Sequence, residues 1–147
     1  MSVELILAKE TDKSFLLELR KLTMVEHFEK AGLYLSDEEH AFRLNDLFEC
    51  SYLIVDSGEQ AGTLKYRELS DVIEVIQIQV HPKNQGKGLG KTVMEKVIGW
   101  SKQKHKKIAL TVLKDNPAKL FYQRLGFKIT GEDEYEFHME RHYFPRK

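Results

Sequence analysis

One segment constrains this chain more than any other: a strand-like run at residues 73–80, followed by Gln85-Gly86-Lys87-Gly88-Leu89-Gly90 and then a helical pattern. Glycines at alternate positions let the main chain approach a ligand closely and turn its N–H groups inward. The N-terminus of the following helix adds partial positive charge. The segment therefore predicts an anion site suited to a pyrophosphate, with Lys83, Lys87 and Lys91 around it.

Two known nucleotide-binding sequence motifs match this segment only in part. Gly90-Lys91-Thr92 matches the end of a Walker A loop, but Gln85 occupies the position that requires the first glycine. A Rossmann loop reads G-x-G-x-x-G, whereas the spacing here is G-x-G-x-G, in the middle of the chain and without an acidic residue at the end of a second strand. A glycine turn that binds no ligand is a further alternative.

Composition limits the class of protein. The chain has 147 residues, 41% of them hydrophobic and 31% charged, which is typical of one globular domain spanning residues 1–147. We find no apolar run of membrane-spanning length and no signal-peptide pattern at the N-terminus. The single cysteine, Cys50, cannot build a disulfide framework. These features predict a cytoplasmic protein without a membrane partner.

Charge is distributed unevenly although it sums to zero. Residues 82–128 hold 12 Lys and Arg against 2 Asp and Glu, whereas residues 1–81 hold 8 against 16. Local fields concentrate ligands of opposite charge. The basic part therefore favours a polyanionic ligand, the acidic part hints at a cationic acceptor, and we expect no nucleic-acid partner.

Hydrophobic periodicity predicts the element order β-α-α-β-β-β-α-β-α-β-β. Phe15, Leu19, Leu22 and Val25 recur at helical spacing in the first helix, and Ser36 with Glu39 forms a capping box for the second. The predicted strands are residues 3–8, 51–56, 60–67, 72–80, 107–113, 127–130 and 135–141. The fold class is therefore α/β, with a mixed α+β sheet and helices on both faces, provided that the crossovers are right-handed.

Two landmarks carry a family resemblance. Gln85-x-x-Gly88-x-Gly90 resembles the [RQ]-x-x-G-x-[GA] signature of the GNAT superfamily, and a strand and a helix flank it as in that superfamily. The second landmark is a strand, a helix and then Gly126-Phe127, with Tyr122 four residues before the glycine. Because both occur in order and at the expected separation, the chain resembles GNAT N-acetyltransferases over essentially its whole length.

The resemblance implies an acyl-CoA N-acyltransferase fold with splayed central strands and acetyl-coenzyme A as cosubstrate. The pantetheine arm would pair with the backbone of Ile78, Gln79 and Val80, and an N–H group near Val80 would polarise the thioester carbonyl. Backbone amides would hold the pyrophosphate over Gln85, Gly86, Lys87, Gly88, Leu89, Gly90 and Lys91.

The resemblance also implies two catalytic residues. Tyr122 matches the general acid, since the reference pKa values of tyrosine (about 10) and a thiol (about 8.5) allow proton transfer; alternatively Tyr122 merely packs beside Phe121. Glu74 resembles the glutamate used as base by histone-acetylating members, whereas other members use water chains.

Asp115 stands where the family often has asparagine. We favour Asn116, one residue later, as the cofactor contact, because a polyanion would repel a carboxylate.

The implied reaction is direct transfer of an acetyl group from acetyl-coenzyme A to a primary amine, with a small amine favoured over a peptide or lysine amine. The alternative is a non-catalytic acyl-coenzyme A sensor that uses the same pocket. We predict no metal site, because His138, Glu140 and His142 alternate along one strand without a closed ligand set. The expected assembly is a monomer or homodimer.

Overall fold

A computed structural model describes residues 2–143 and contains a seven-stranded mixed sheet in the order β1-β2-β3-β4-β5-β7-β6. The strands are β1 (Val3–Leu7), β2 (Ser51–Asp56), β3 (Glu59–Glu68), β4 (Val72–Val80), β5 (Lys107–Leu113), β6 (Lys128–Glu132) and β7 (Glu136–Arg141). The helices are α1 (Lys13–Lys30), α2 (Asp37–Asn45), α3 (Leu89–Lys104) and α4 (Ala118–Arg124).

Two separate apolar clusters place helices on opposite faces of the sheet. One cluster joins Val93 and Val97 of α3 and Tyr122 of α4 to one face. The other joins Leu16 of α1 and Leu44 of α2 to the opposite face. The predicted mixed α/β sheet with helices on both faces is confirmed.

Strand β4 is paired differently along its two edges. On the β3 side, pairing runs from Ile73 to Val80, interrupted at Ile76, because Lys65 pairs with Gln77 whereas Tyr66 pairs with Val75. On the β5 side, only Val72, Ile73 and Glu74 pair with residues 107–109, in parallel. A bulge bends the strand that carries it. The sheet therefore opens between β4 and β5 immediately after Glu74.

Helix α1 buries a different face from the predicted one. Leu19 is fully buried as expected, but Leu22 is 52% exposed, and the buried positions include Leu16, Arg20 and Phe28. The prediction used only the spacing of apolar side chains. It therefore missed that Arg20 lies on the buried face of α1, and it placed the buried stripe on a different part of the helix surface.

Helix α2 begins as predicted. Ser36 Oγ accepts a hydrogen bond from the Glu39 amide at 3.1 Å, and Glu39 Oε1 accepts one from the Ser36 amide at 3.2 Å. This reciprocal pair satisfies two donors that the first turn leaves free. It fixes the start of the helix whose other end faces the site described below.

Among residues 2–143, no helix combines the length and the apolar composition needed to cross a membrane.

Gly62 on β3 is required where β3 meets the end of β4. A Cβ atom at Gly62 would lie 2.2 Å from the Gln79 carbonyl oxygen and 3.1 Å from Val80 Cα. We expect Gly62→Ala to lower the free energy of unfolding by about 2 kcal/mol, because the backbone must shift to relieve the overlap. Urea unfolding measures this loss.

Gly99→Ala is the matched control, because a Cβ atom there meets nothing within 4 Å and Gly99 lies inside α3. It should raise stability by about 0.5–1 kcal/mol through helix propensity. Equal effects of the two substitutions would contradict the close approach at Gly62.

Candidate active site

The opening between β4 and β5 forms a cavity of about 460 Å³. Residues 75–78 of β4 line one wall and residues 110–113 of β5 line the other. Tyr122, from the face covered by α3 and α4, and Arg20, from the face covered by α1 and α2, both line it. The cavity therefore connects the two faces of the sheet.

The glycine loop follows β4 and has free main-chain donors. Among the described residues, the amides of Gly86, Lys87 and Gly88 donate no hydrogen bond. The Thr92 amide donates to the Gly88 carbonyl at 3.0 Å, in the i→i−4 pattern of an α-helix. Gly88 has φ +79, and a Cβ atom there would project into open space. Free amides at the start of a helix with 16 residues suit an anion.

Gln85 holds the loop against the sheet. Its side-chain Nε2 donates to the Val80 carbonyl at 3.0 Å, and its amide donates to the Pro82 carbonyl at 3.3 Å. Leu89 is 1% exposed and packs into the core, so only its main chain faces the loop. The structure thus gives Gln85 a role in shaping the loop, while Lys87 and Lys91 are exposed beside it.

Of the three predicted pantetheine contacts, Ile78 lines the cavity, while Gln79 and Val80 lie further along β4. Gln79 is buried at 6% exposure, and its Nε2 has no partner among the described residues. A buried amide without a partner is unfavourable.

Tyr122 is buried at 8% exposure between Phe121 and Phe127, with ring centroids at 5.3 Å and 5.7 Å. Burial raises the pKa of Tyr122 to about 12. Its hydroxyl therefore keeps its proton at neutral pH and is available as a donor to a group in the cavity.

Asn116 lines the cavity, and Asp115 does not. Asn116 Oδ1 accepts a hydrogen bond from the Ala118 amide at 2.9 Å and so orients the start of α4. This bond orients the side chain, and its Nδ2 group carries the donors that a ligand in the cavity could use.

Glu74 is the last residue of β4 that pairs with β5, where it lies opposite Ala109. It is not among the residues that line the cavity. Its Oε2 is 3.3 Å from Arg67 Nη2, with both side chains partly exposed. Its assignment as base stays a prediction.

Within residues 2–143, no group of three or more His, Cys, Asp or Glu side chains is arranged to hold a metal ion.

Three basic residues of the cavity were not predicted as site residues. Arg20 and Lys65 are 6% and 4% exposed, and Arg43 lies at the open side. The available signals were an arginine at helical spacing from Leu16 and a lysine between Leu64 and Tyr66 in a predicted strand. Of the 16 acidic residues in residues 1–81, only Asp46 lines the cavity, so the acidic excess of that half lies elsewhere.

A family comparison covers most of the chain. The model of the Acetyltransferase (GNAT) family matches residues 14–127, which include α1, the cavity walls, the glycine loop and Tyr122. No protein with a curated function matches the sequence.

Solved structures share the fold at low sequence identity. PaiA N-acetyltransferase from Thermoplasma acidophilum, in complex with coenzyme A, is 20% identical with a TM-score of 0.74 and covers 97% of this chain and 100% of that one. An acetyltransferase from Thermus thermophilus is 20% identical, with a TM-score of 0.77 and 97% coverage of both chains. Naa50 from Arabidopsis thaliana, in complex with the bisubstrate analogue CoA-Ac-MVNAL, is 18% identical, with a TM-score of 0.69 and coverage of 96% and 99%.

The raised pKa of Tyr122 predicts a pH dependence of stability. Above the unfolded-state pKa of about 10, the unfolded chain releases the phenol proton while the folded protein retains it until about pH 12, so stability falls as pH rises. Tyr122 alone should remove about 1.3 kcal/mol of unfolding free energy between pH 9 and pH 11. Tyr122→Phe should reduce the measured fall by that amount.

Urea unfolding at the two pH values measures the difference, and Tyr34→Phe, which removes an exposed hydroxyl, is the control. An identical fall in the Tyr122→Phe variant and in the unmodified protein would contradict the burial of this phenol.

Proposed function

The chain belongs to the GNAT acetyltransferase family, and from that premise we propose that it transfers an acetyl group from acetyl-coenzyme A to a primary amine by direct attack. The observation that carries the proposal is the opening of the sheet after Glu74, next to a loop whose amides are free. An extended arm fits between the strands, and a pyrophosphate fits the loop.

The proposed binding mode uses main-chain groups. The amides of residues 86–91 bind the pyrophosphate, because they lie at a helix N-terminus and have no competing partner within residues 2–143. Residues 78–80 pair with the pantetheine arm along the edge of β4 that β5 leaves free. Asn116, whose oxygen is already bonded, adds an Nδ2 donor from the opposite wall. The coenzyme A complex of the Thermoplasma structure supports this ligand class.

The proposed reaction forms a C–N bond, breaks the C–S bond and moves protons. The neutral amine nitrogen attacks the thioester carbonyl carbon, and a main-chain N–H group of β4 near Val80 stabilises the oxygen as negative charge develops. The C–S bond then breaks, and the sulfur takes a proton from Tyr122. The attacking nitrogen releases its extra proton to water, and water returns a proton to the Tyr122 phenolate, leaving an N-acetyl amine and free coenzyme A.

Tyr122 fits the acid role despite its high pKa. The difference between about 12 for Tyr122 and about 8.5 for a thiol in water would make full proton transfer unfavourable. However, the departing thiolate is formed in the same buried cavity, and burial raises thiol pKa values as well. The two pKa values are therefore closer in the cavity than in water, and the hydroxyl donates a hydrogen bond to the sulfur as its charge develops and then transfers its proton.

Glu74 is our proposed base because it lies where the sheet begins to open. Its carboxylate is paired with Arg67 and does not line the cavity, so the amine proton would reach it through water. If Glu74→Gln leaves kcat/KM unchanged, Glu74 is not the base and water alone accepts the proton of the amine.

We expect Gly88→Ala to weaken coenzyme A binding about tenfold or more. The new methyl group projects into the loop space that the pyrophosphate would occupy, and the left-handed φ of Gly88 adds strain. Isothermal titration calorimetry with coenzyme A measures the change.

Gly58→Ala is the matched control, since Gly58 has φ +85 and open space around it in the β2–β3 turn. It should lower stability to a similar extent and leave coenzyme A affinity unaltered. Equal affinity in the two variants would contradict a pyrophosphate site at the loop.

Tyr122→Phe should lower kcat about 100-fold or more while coenzyme A affinity stays within about twofold, because only the proton donor is removed. Thiol release from acetyl-coenzyme A with an amine panel measures turnover. Unchanged kcat would reject Tyr122 as the acid. Coenzyme A binding without thiol release for any amine would instead favour the sensor alternative.

A further inference from the structure

Three cationic side chains converge at the side of the cavity that faces α1 and α2. The guanidinium carbons of Arg20 and Arg43 lie 5.5 Å and 5.1 Å from the centroid of the Phe28 ring. Lys65 extends from β3 into the same cavity, and Arg20 and Lys65 are both more than nine-tenths buried.

No carboxylate compensates these charges closely. Among the described residues, no Asp or Glu oxygen lies within 4.0 Å of Arg20, Arg43 or Lys65, although Asp46 and Glu136 also line the cavity. Burial and the charge of Arg43 lower the pKa of Arg20 to about 10. Buried charges without counter-ions are unfavourable.

The neighbours of Lys65 explain its burial, whereas those of Arg20 do not. Lys65 Nζ donates to the main-chain carbonyls of Arg43, Leu44 and Asp46, which are at the C-terminus of α2. Cations stabilise such helix ends. The Nε atom of Arg20 donates only to His40 Nδ1, at 3.0 Å. Burial and Arg20 lower the pKa of His40, so the imidazole is a neutral acceptor and leaves the charge of Arg20 uncompensated.

Apart from Asp46, the remaining walls on this side are apolar. Met24, Phe28, Leu33, Phe42 and Leu47 line the cavity beside the two arginines. An acceptor that fits here has an apolar body next to a group that two guanidinium ions can bind. Guanidinium binds carboxylate and phosphate through paired, charge-assisted hydrogen bonds.

We propose that Arg20, assisted by Arg43, binds an anionic group of the acceptor, and that the acceptor is an apolar amine bearing a carboxylate or phosphate. This inference rests on the proposed acetyl transfer and narrows its acceptor class. It runs opposite to the cationic acceptor expected from the charge of residues 1–81, because that acidic excess lies outside the cavity.

The test compares amines with and without the anionic group, and each rate is referred to the concentration of neutral amine because the α-amides have lower amine pKa values than the acids. The pairs are L-phenylalanine with its amide, L-leucine with its amide, and 6-aminohexanoate with its amide, so that the distance between amine and carboxylate varies. The phosphonate analogue of phenylalanine separates phosphate from carboxylate recognition. Spermidine represents the cationic class, and thiol release gives kcat/KM for each.

In the unmodified protein, the acid of the preferred pair should exceed its amide at least about tenfold in kcat/KM, mainly through KM. Arg20→Met should bring acid and amide within about twofold of each other, and Arg20→Lys should keep part of the preference. Arg43→Met should weaken the preference for the acid. Because Arg43 is exposed, this variant provides a second test if the Arg20 variants do not fold. Lys102→Met removes the same charge from the exposed side of α3 and should keep the full preference.

A second readout needs no turnover. With coenzyme A saturating, calorimetry should detect the N-acetyl product of the preferred acid, and this binding should be lost in Arg20→Met while coenzyme A affinity is retained. Preference for amides or spermidine, or an unaltered preference in Arg20→Met, would overturn the inference and leave acetyl transfer intact. Acetylation of none of the pairs, with coenzyme A bound, would also reject this acceptor class. Failure of coenzyme A to bind would reject the proposed function itself.

Discussion

The site depends on the short pairing between β4 and β5. Three residues of β4 pair with β5, and the strand then bends at the bulge around Ile76 while it keeps its pairing to β3. The main-chain groups on the free edge of β4 are strong donors and acceptors that require partners. A ligand with amide groups can supply them, and we therefore propose that the break in the sheet provides the binding site.

The same break lets groups from both faces of the sheet act on one ligand. Tyr122 approaches from the face packed by α3 and α4, and Arg20 approaches from the face packed by α1 and α2. The proposed proton donor for the leaving sulfur and the proposed anchor for the incoming amine therefore enter the cavity from opposite faces of the sheet. Because of this division, the residues of an acceptor pocket can differ between proteins of this fold without changes in the glycine loop.

Much of this arrangement was predictable from the sequence. The bounds of β2, β4 and β5 and the capping box of α2 agree with the prediction, because period and cap residues act locally. The gap was expected only through the family resemblance, since pairing between strands distant in the chain leaves no local pattern. The burial of Arg20 was missed and that of Leu22 overestimated, because packing of α1 against α2 and the sheet, rather than hydrophobicity, sets which face is covered.

Hydrogen–deuterium exchange with and without coenzyme A is the decisive measurement, because it reports on main-chain amides. We expect slower exchange on coenzyme A addition in two segments, residues 75–80 of β4 and residues 86–91 of the loop, with little change in β1 and β2. Unchanged exchange in both segments at saturating coenzyme A, or protection confined to another part of the chain, would contradict it.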